Sequence, residues 1–114
     1  FNTGYYSTNG ESNTSIGSYS LMYNTMGHEN TATGYQAMQV NELGSRNTAV
    51  GFKALRGNKY TSNSVAVGYK AMHYANPGSA NGSGLPTGNT AVGSYALEGS
   101  TTSANNTGTN NTAI

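Results

Sequence analysis

The sequence has no cysteine, no tryptophan and no aspartate among its 114 residues. Without cysteine there is no disulfide framework and no thiolate metal site. Without aspartate, a Ser-His-Asp triad and the Asp-dependent calcium-binding repeats are excluded. Charge is scarce as well: charged residues are 8% of the chain and the formal net charge is +1. The five Lys and Arg do not cluster, so the basic face that nucleic acid requires is missing. No apolar run approaches the roughly 20 residues of a membrane-spanning helix, so no membrane span is expected.

Few apolar residues (34%) and many glycines (16) would ordinarily suggest disorder. Disordered chains, however, also carry high net charge and few aromatics, and this one has nine Tyr, two Phe and almost no net charge. A repeat offers another route to a core, because each unit buries a little surface against its neighbour.

Such a repeat is present. The phrase Asn47-Thr48-Ala49-Val50-Gly51-Phe52-Lys53-Ala54-Leu55 recurs at residues 30–38, 64–72 and 89–97, with a looser copy at 13–21. Residues 1–8 read as a copy lacking its first residue, and residues 111–114 as half a copy. The residue before the repeat glycine is Thr3, Ile16, Thr33, Val50, Val67, Val92 or Ile114, β-branched every time. Such residues fit a pleated, half-buried surface. The residue two before the glycine is small in every copy but the first, where it is Asn2, and so is the residue three after it. The fourth residue after it is Leu21, Met38, Leu55, Met72 or Leu97, with Thr8 the exception.

Period-two alternation is a strand signal, and a glycine within it marks a bend or a close backbone approach. The phrase therefore reads as strand, glycine corner, strand, with Phe52 to Leu55 as the second strand. This predicts an all-β, single-domain parallel β-solenoid, or β-roll, of about six to seven short coils. The corner glycines are Gly17, Gly34, Gly51, Gly68 and Gly93. The expected core is the column Ile16, Thr33, Val50, Val67 and Val92 together with Leu21, Met38, Leu55, Met72 and Leu97. The Asn that opens most phrases (Asn13, Asn30, Asn47, Asn89, Asn111) is expected to stack as a ladder.

Glycine-to-glycine spacings from Gly4 to Gly93 are 13, 17, 17, 17 and 25. The first, with its connector Asn9-Gly10-Glu11-Ser12, sets a smallest coil of 13 residues, or at most about 43 Å of perimeter at about 3.3 Å per residue. Connectors at residues 73–88 and 98–110 are longer and read as loops leaving the coil. The chain starts and stops within repeats, which suggests a segment or subunit of a longer fibre.

At Asn63-Ser64-Val65-Ala66-Val67-Gly68 the sequence resembles the repeat of YadA-like heads in trimeric autotransporter adhesins. At Asn89-Thr90-Ala91-Val92-Gly93-Ser94-Tyr95-Ala96-Leu97 it resembles repeats of bacterial and phage tail-fibre-like surface proteins. The resemblance covers about half the chain directly. It implies a left-handed parallel β-roll, often three chains around one axis, serving as an extracellular stalk or adhesive head. The connectors here are longer and less equal than in adhesin heads. The motif is structural, so the resemblance brings no catalytic residues.

Three functions are therefore in view. The first is a structural, non-enzymatic repeat protein that self-associates in an extracellular or cell-surface fibre or adhesin stalk. The second is a receptor- or glycan-binding tip module, with specificity in the two long connectors and partners on a host surface. The third is an ice-binding solenoid, suggested by the column Thr14, Thr31, Thr48, Thr90 and Thr112. His28-Glu29 and His73 lie in different connectors without ligand spacing, so no metal and no cofactor are expected.

Overall fold

The structure is a computed structural model, and it describes residues 3–4, 6–75, 85–99 and 108–114, without the side chains of residues 85 and 86. The repeated phrase forms one sheet. Its strands are β1 (Thr14–Ile16), β2 (Thr31–Thr33), β3 (Thr48–Val50), β5 (Val65–Val67), β7 (Thr90–Val92) and β8 (Thr112–Ala113), paired in that order. A second, two-stranded sheet joins β4 (Thr61–Ser62) to β6 (Leu85–Pro86). Every pairing is parallel, with repeat positions opposite one another: Thr31 faces Thr48, Ala32 faces Ala49 and Thr33 faces Val50. Strands equivalent by sequence thus stack directly, and no helix occurs among the described residues. This is a parallel β-solenoid of short coils.

Strands β1, β2, β3, β5 and β7 are only three residues long because the glycine that follows each takes a backbone that side chains resist. Gly51 has φ +131°. A Cβ there would lie 2.5 Å from the Gly68 carbonyl oxygen of the next coil, so the coils approach too closely for any side chain. The stretch after the glycine is a series of turns, where the sequence suggested a second strand. Lys53 and Leu55 both turn left-handed, at φ +56° and +51°, and Leu21, Met38 and Met72 repeat the Leu55 conformation. Left-handed backbone costs roughly 1–2 kcal/mol at an ordinary residue. Burying each Leu or Met returns about 1.5–3 kcal/mol. The turn also keeps its axial hydrogen bonds: Leu21 N donates to Ala37 O, Met38 N to Ala54 O and Leu55 N to Ala71 O.

Two expectations are corrected by the stacking. The coil holds 17 residues, and the 13-residue spacing at the start of the chain is no coil. Gly4 N donates to Ser20 O, as Leu21 N does to Ala37 O. Gly4 therefore sits in the Leu/Met column. Its φ of +56° matches that column and differs from the +117° to +131° of the corner glycines. The described part of residues 1–8 is consequently the second half of a coil and its connector, out of register with the phrase.

The second correction concerns the core. Ile16, Val50 and Val92 are 59%, 38% and 39% exposed, and Thr33 and Val67 are half-buried. The β-branched column faces outward. The buried strand column is Ala32, Ala49, Ala66 and Ala91. A strand of three residues points its middle side chain one way and its flanking two the other. The middle residue is the one turned into the tube. Leu21, Met38, Leu55 and Met72 fill the interior from the opposite wall, with Ala37, Ala54 and Ala71 beside them. Little room is left for anything larger than a methyl group on the strand side. Leu97, in the last complete phrase, is 36% exposed.

Candidate functional surfaces

Two ladders of asparagine run through the interior. The first is the one expected from the phrase. Asn30 N donates to Asn13 Oδ1, Asn47 N to Asn30 Oδ1, and Ser64 N to Asn47 Oδ1, at 2.8–3.0 Å. Each amide nitrogen caps a carbonyl across the coil, as Asn30 Nδ2 does Gly44 O at 2.8 Å. Ser64 interrupts the series and bonds Thr87 Oγ1 at 2.8 Å. The ladder resumes where Asn111 N donates to Asn89 Oδ1 at 2.8 Å.

The second ladder lies in the eight-residue connectors between phrases, residues 22–29, 39–46 and 56–63. Asn41 Nδ2 donates to Asn24 Oδ1 and Asn58 Nδ2 to Asn41 Oδ1, each at 2.7 Å. All three residues are buried. The signal was available in the 17-residue spacing of Asn24, Asn41 and Asn58. Its meaning depended on knowing that 17 residues make one coil. These three connectors are thereby part of the coil wall.

Outside, the rings stack along the same axis. Tyr35, Phe52 and Tyr69 lie nearly parallel, with centroids 5.5 and 5.1 Å apart. Tyr19 and Tyr95 close the two ends edge-on, at 5.8 and 5.3 Å. Lys53 Nζ lies 4.9 Å from the Phe52 centroid, and Lys70 Nζ about equally near Tyr69 and Tyr95. Both faces of Phe52 are thus taken by neighbouring rings. A sugar that binds by stacking needs a free ring face, and this column offers mainly edges.

The two histidines lie in different columns of the coil. His28 is exposed, and its Nδ1 accepts from Glu11 N at 3.2 Å. His73 is buried against the Tyr74 ring, 3.8 Å from the Glu98 carboxylate, and neither ring nitrogen has a hydrogen-bond partner. Burial pushes its pKa below the ordinary histidine value, Arg56 and Lys70 push the same way, and Glu98 opposes them. Among the described residues no group of three His, Cys, Asp or Glu is placed to hold a metal ion. No helix there is long and apolar enough to cross a membrane.

The outward face of the main sheet carries only β-branched residues. The column Thr14, Thr31, Thr48, Val65, Thr90 and Thr112 runs beside Ile16, Thr33, Val50, Val67 and Val92. Ala75, Thr87, Gly99 and Gly108, which belong to the two long connectors, line a common cavity. The residues of those connectors at 76–84 and 100–107 lie outside the described set. No family model, curated protein or solved structure matches this chain.

Proposed function

We propose that the chain is a structural repeat module of an extracellular or cell-surface fibre or adhesin stalk, that its partner is more coils of its own kind, and that it carries no reaction. One observation carries this reading: each coil is completed by the same positions of the next. Backbone hydrogen bonds, two asparagine ladders, an alanine column and a ring stack all run along a single axis. A coil by itself leaves those groups unsatisfied, and an open sheet edge is a template for a further strand. Sequence resemblance to adhesin and tail-fibre repeats supports the location. Electron microscopy and fibre diffraction of the purified protein test it. Rods or fibres with an axial repeat of about 4.8 Å are expected. Uniform monomeric particles at every concentration would sink the reading.

A second reading, a receptor- or glycan-binding tip, is favoured by described residues of both long connectors, Ala75, Thr87, Gly99 and Gly108, lining one cavity. Deleting residues 76–84 and 100–107 together should then abolish binding to cells or glycan arrays. Unchanged binding would remove it.

A further inference from the structure

Coiling gathers cations that the chain order keeps apart. Lys59 is paired with Glu42 at 3.1 Å, and Arg46 shares a groove with Glu11 and Glu29. The other three of the five, Lys53, Arg56 and Lys70, have no carboxylate within ion-pair distance among the described residues. Lys53 and Lys70 hold the same repeat position one coil apart. Lys53 N donates to Tyr35 O at 2.9 Å and Lys70 N to Phe52 O at 2.8 Å, so the column steps by about 4.8 Å along the axis. Arg56 lies in the turn just after Lys53. Its Nε donates to Gln39 Oε1 at 3.0 Å, which leaves both terminal nitrogens of the guanidinium free. His73 registers the three together. Burial lowers its pKa first, and Arg56, Lys70 and Lys53 lower it further, against Glu98. The three cations therefore share one wall of the coil.

Cations grouped without counter-ions raise the potential over that wall and attract anions to it. All three are half-buried, and the lysine heads rest on rings. Lys53 Nζ lies 4.9 Å from the Phe52 centroid, and Lys70 Nζ 5.5 and 5.4 Å from those of Tyr69 and Tyr95. A head already held on a ring has less freedom to lose when it binds. The rings themselves argue against nucleic acid. Single strands bind such walls by stacking their bases on aromatic faces, whereas Phe52 lies between Tyr35 and Tyr69, and Tyr69 between Phe52 and Tyr95. Tyr35, Tyr69 and Tyr95 are exposed, and phenol hydroxyls both donate to and accept from sugar hydroxyls. Glu98 stands one coil beyond His73 and bounds the positive region on that side.

We propose that this wall binds an acidic polysaccharide, with sulfate or carboxylate groups of neighbouring sugars on Lys53, Lys70 and Arg56 and sugar hydroxyls on the rim of the ring column. The polymer runs along the solenoid axis, the direction in which Lys53 and Lys70 are stacked. The planar guanidinium of Arg56 takes two oxygens of one sulfate or carboxylate, and the ammonium groups act as point charges. Exposed ion pairs are individually weak, so the repeated charges of a polymer supply the avidity that a single acidic sugar lacks. The site needs no second chain and no residue of 76–84 or 100–107, so it fails separately from the fibre reading and from the binding-tip reading.

The test is calorimetric titration of the whole chain with heparin, which is sulfated, and with polygalacturonate, which carries carboxylates only. Neutral dextran and a single-stranded oligothymidylate are the comparisons. Saturable binding to one or both acidic polymers is expected, and it should weaken as salt rises from about 50 to about 200 mM. Binding to heparin alone identifies sulfate as the ligand group, and binding to polygalacturonate identifies carboxylate as sufficient. Replacing Lys53 and Lys70 together by glutamine should weaken binding at least about threefold, the loss of two exposed ion pairs. Gln36 holds the same position one coil earlier at φ +56°, so glutamine suits that turn. Arg56→Gln should weaken binding as well, and Gln39 is its precedent in the column. Replacing Arg46 and Lys59 by glutamine removes equal charge from other walls and should leave binding within about twofold. The proposal is overturned if neither acidic polymer binds, or if dextran or the oligonucleotide binds as tightly. It is also overturned if the Lys53 and Lys70 replacement binds unchanged, or loses no more than the Arg46 and Lys59 replacement.

Discussion

Replacing Ala66 and Val67 separately by aspartate asks which side of the strand is the inside. Ala66 is fully buried between Ala49 and Ala91, whereas Val67 is half-buried on the outer face. In the tube an aspartate has no cation to pair with, since Arg and Lys lie on the outer walls and turns. Full burial raises a carboxyl pKa by up to about 3–5 units. At about 1.36 kcal/mol per unit the cost at pH 7 is roughly 4–7 kcal/mol. Overpacking the narrow interior adds about 1–3 kcal/mol. Domains of this size are stable by only about 5–15 kcal/mol, so Ala66→Asp should melt at least ~15 °C lower or not fold at all. Val67→Asp loses a β-branched residue at a solvated position, which costs about 1 kcal/mol, or ~4 °C. The buried carboxyl gives a further signature. Its pKa is raised in the folded state, so the folded chain binds the extra proton and stability rises as pH falls from 7 towards 4. Thermal melts by circular dichroism at pH 7 and pH 4 measure all of this. For a variant that survives in any case, Ala66→Val should cost more than Val67→Ala. If Val67→Asp is the more damaging of the two aspartates, the alanine column is not the core.

Other consequences of the geometry are as direct. Gly51→Ala places a side chain at φ +131° and 2.5 Å from the Gly68 carbonyl oxygen. Backbone strain alone costs about 1–3 kcal/mol, so a fall in melting temperature of at least ~4 °C is expected. Asn41→Ala leaves Asn24 Oδ1 without its donor and takes one acceptor from Asn58 Nδ2. At about 1–3 kcal/mol for each buried orphan, the loss should be roughly 2–4 kcal/mol in denaturant titrations. His73 has a folded pKa below its ordinary value of 6.5. The unfolded chain therefore takes up the proton first as pH falls, and stability declines from about pH 6.5 down to the folded pKa. The His73→Gln variant should lack that slope, which melts between pH 7.5 and 5 will show.

The sequence alone determined the repeated phrase and the parallel topology. Identical residues at fixed spacing can satisfy one another only by stacking in parallel, in register. The glycine column, the small columns and the Leu/Met column were therefore legible before any coordinate. The Asn13, Asn30 and Asn47 ladder was legible for the same reason, since side-chain amides in register bond along the axis. Only the tertiary structure decided which face was inside. Alternation separates Ala49 from Thr48 and Val50 but does not say which side is solvent. Hydropathy favours Val50, yet the interior beside Leu55 has room only for a methyl group, and size prevailed. The coil length was decided in the same way. Gly4 matches the phrase in sequence, but its backbone bonds Ser20 in the Leu21 column. Local identity does not fix register when the neighbouring coil's hydrogen bonds place the chain elsewhere. The Asn24, Asn41 and Asn58 ladder became visible only once that coil length was known.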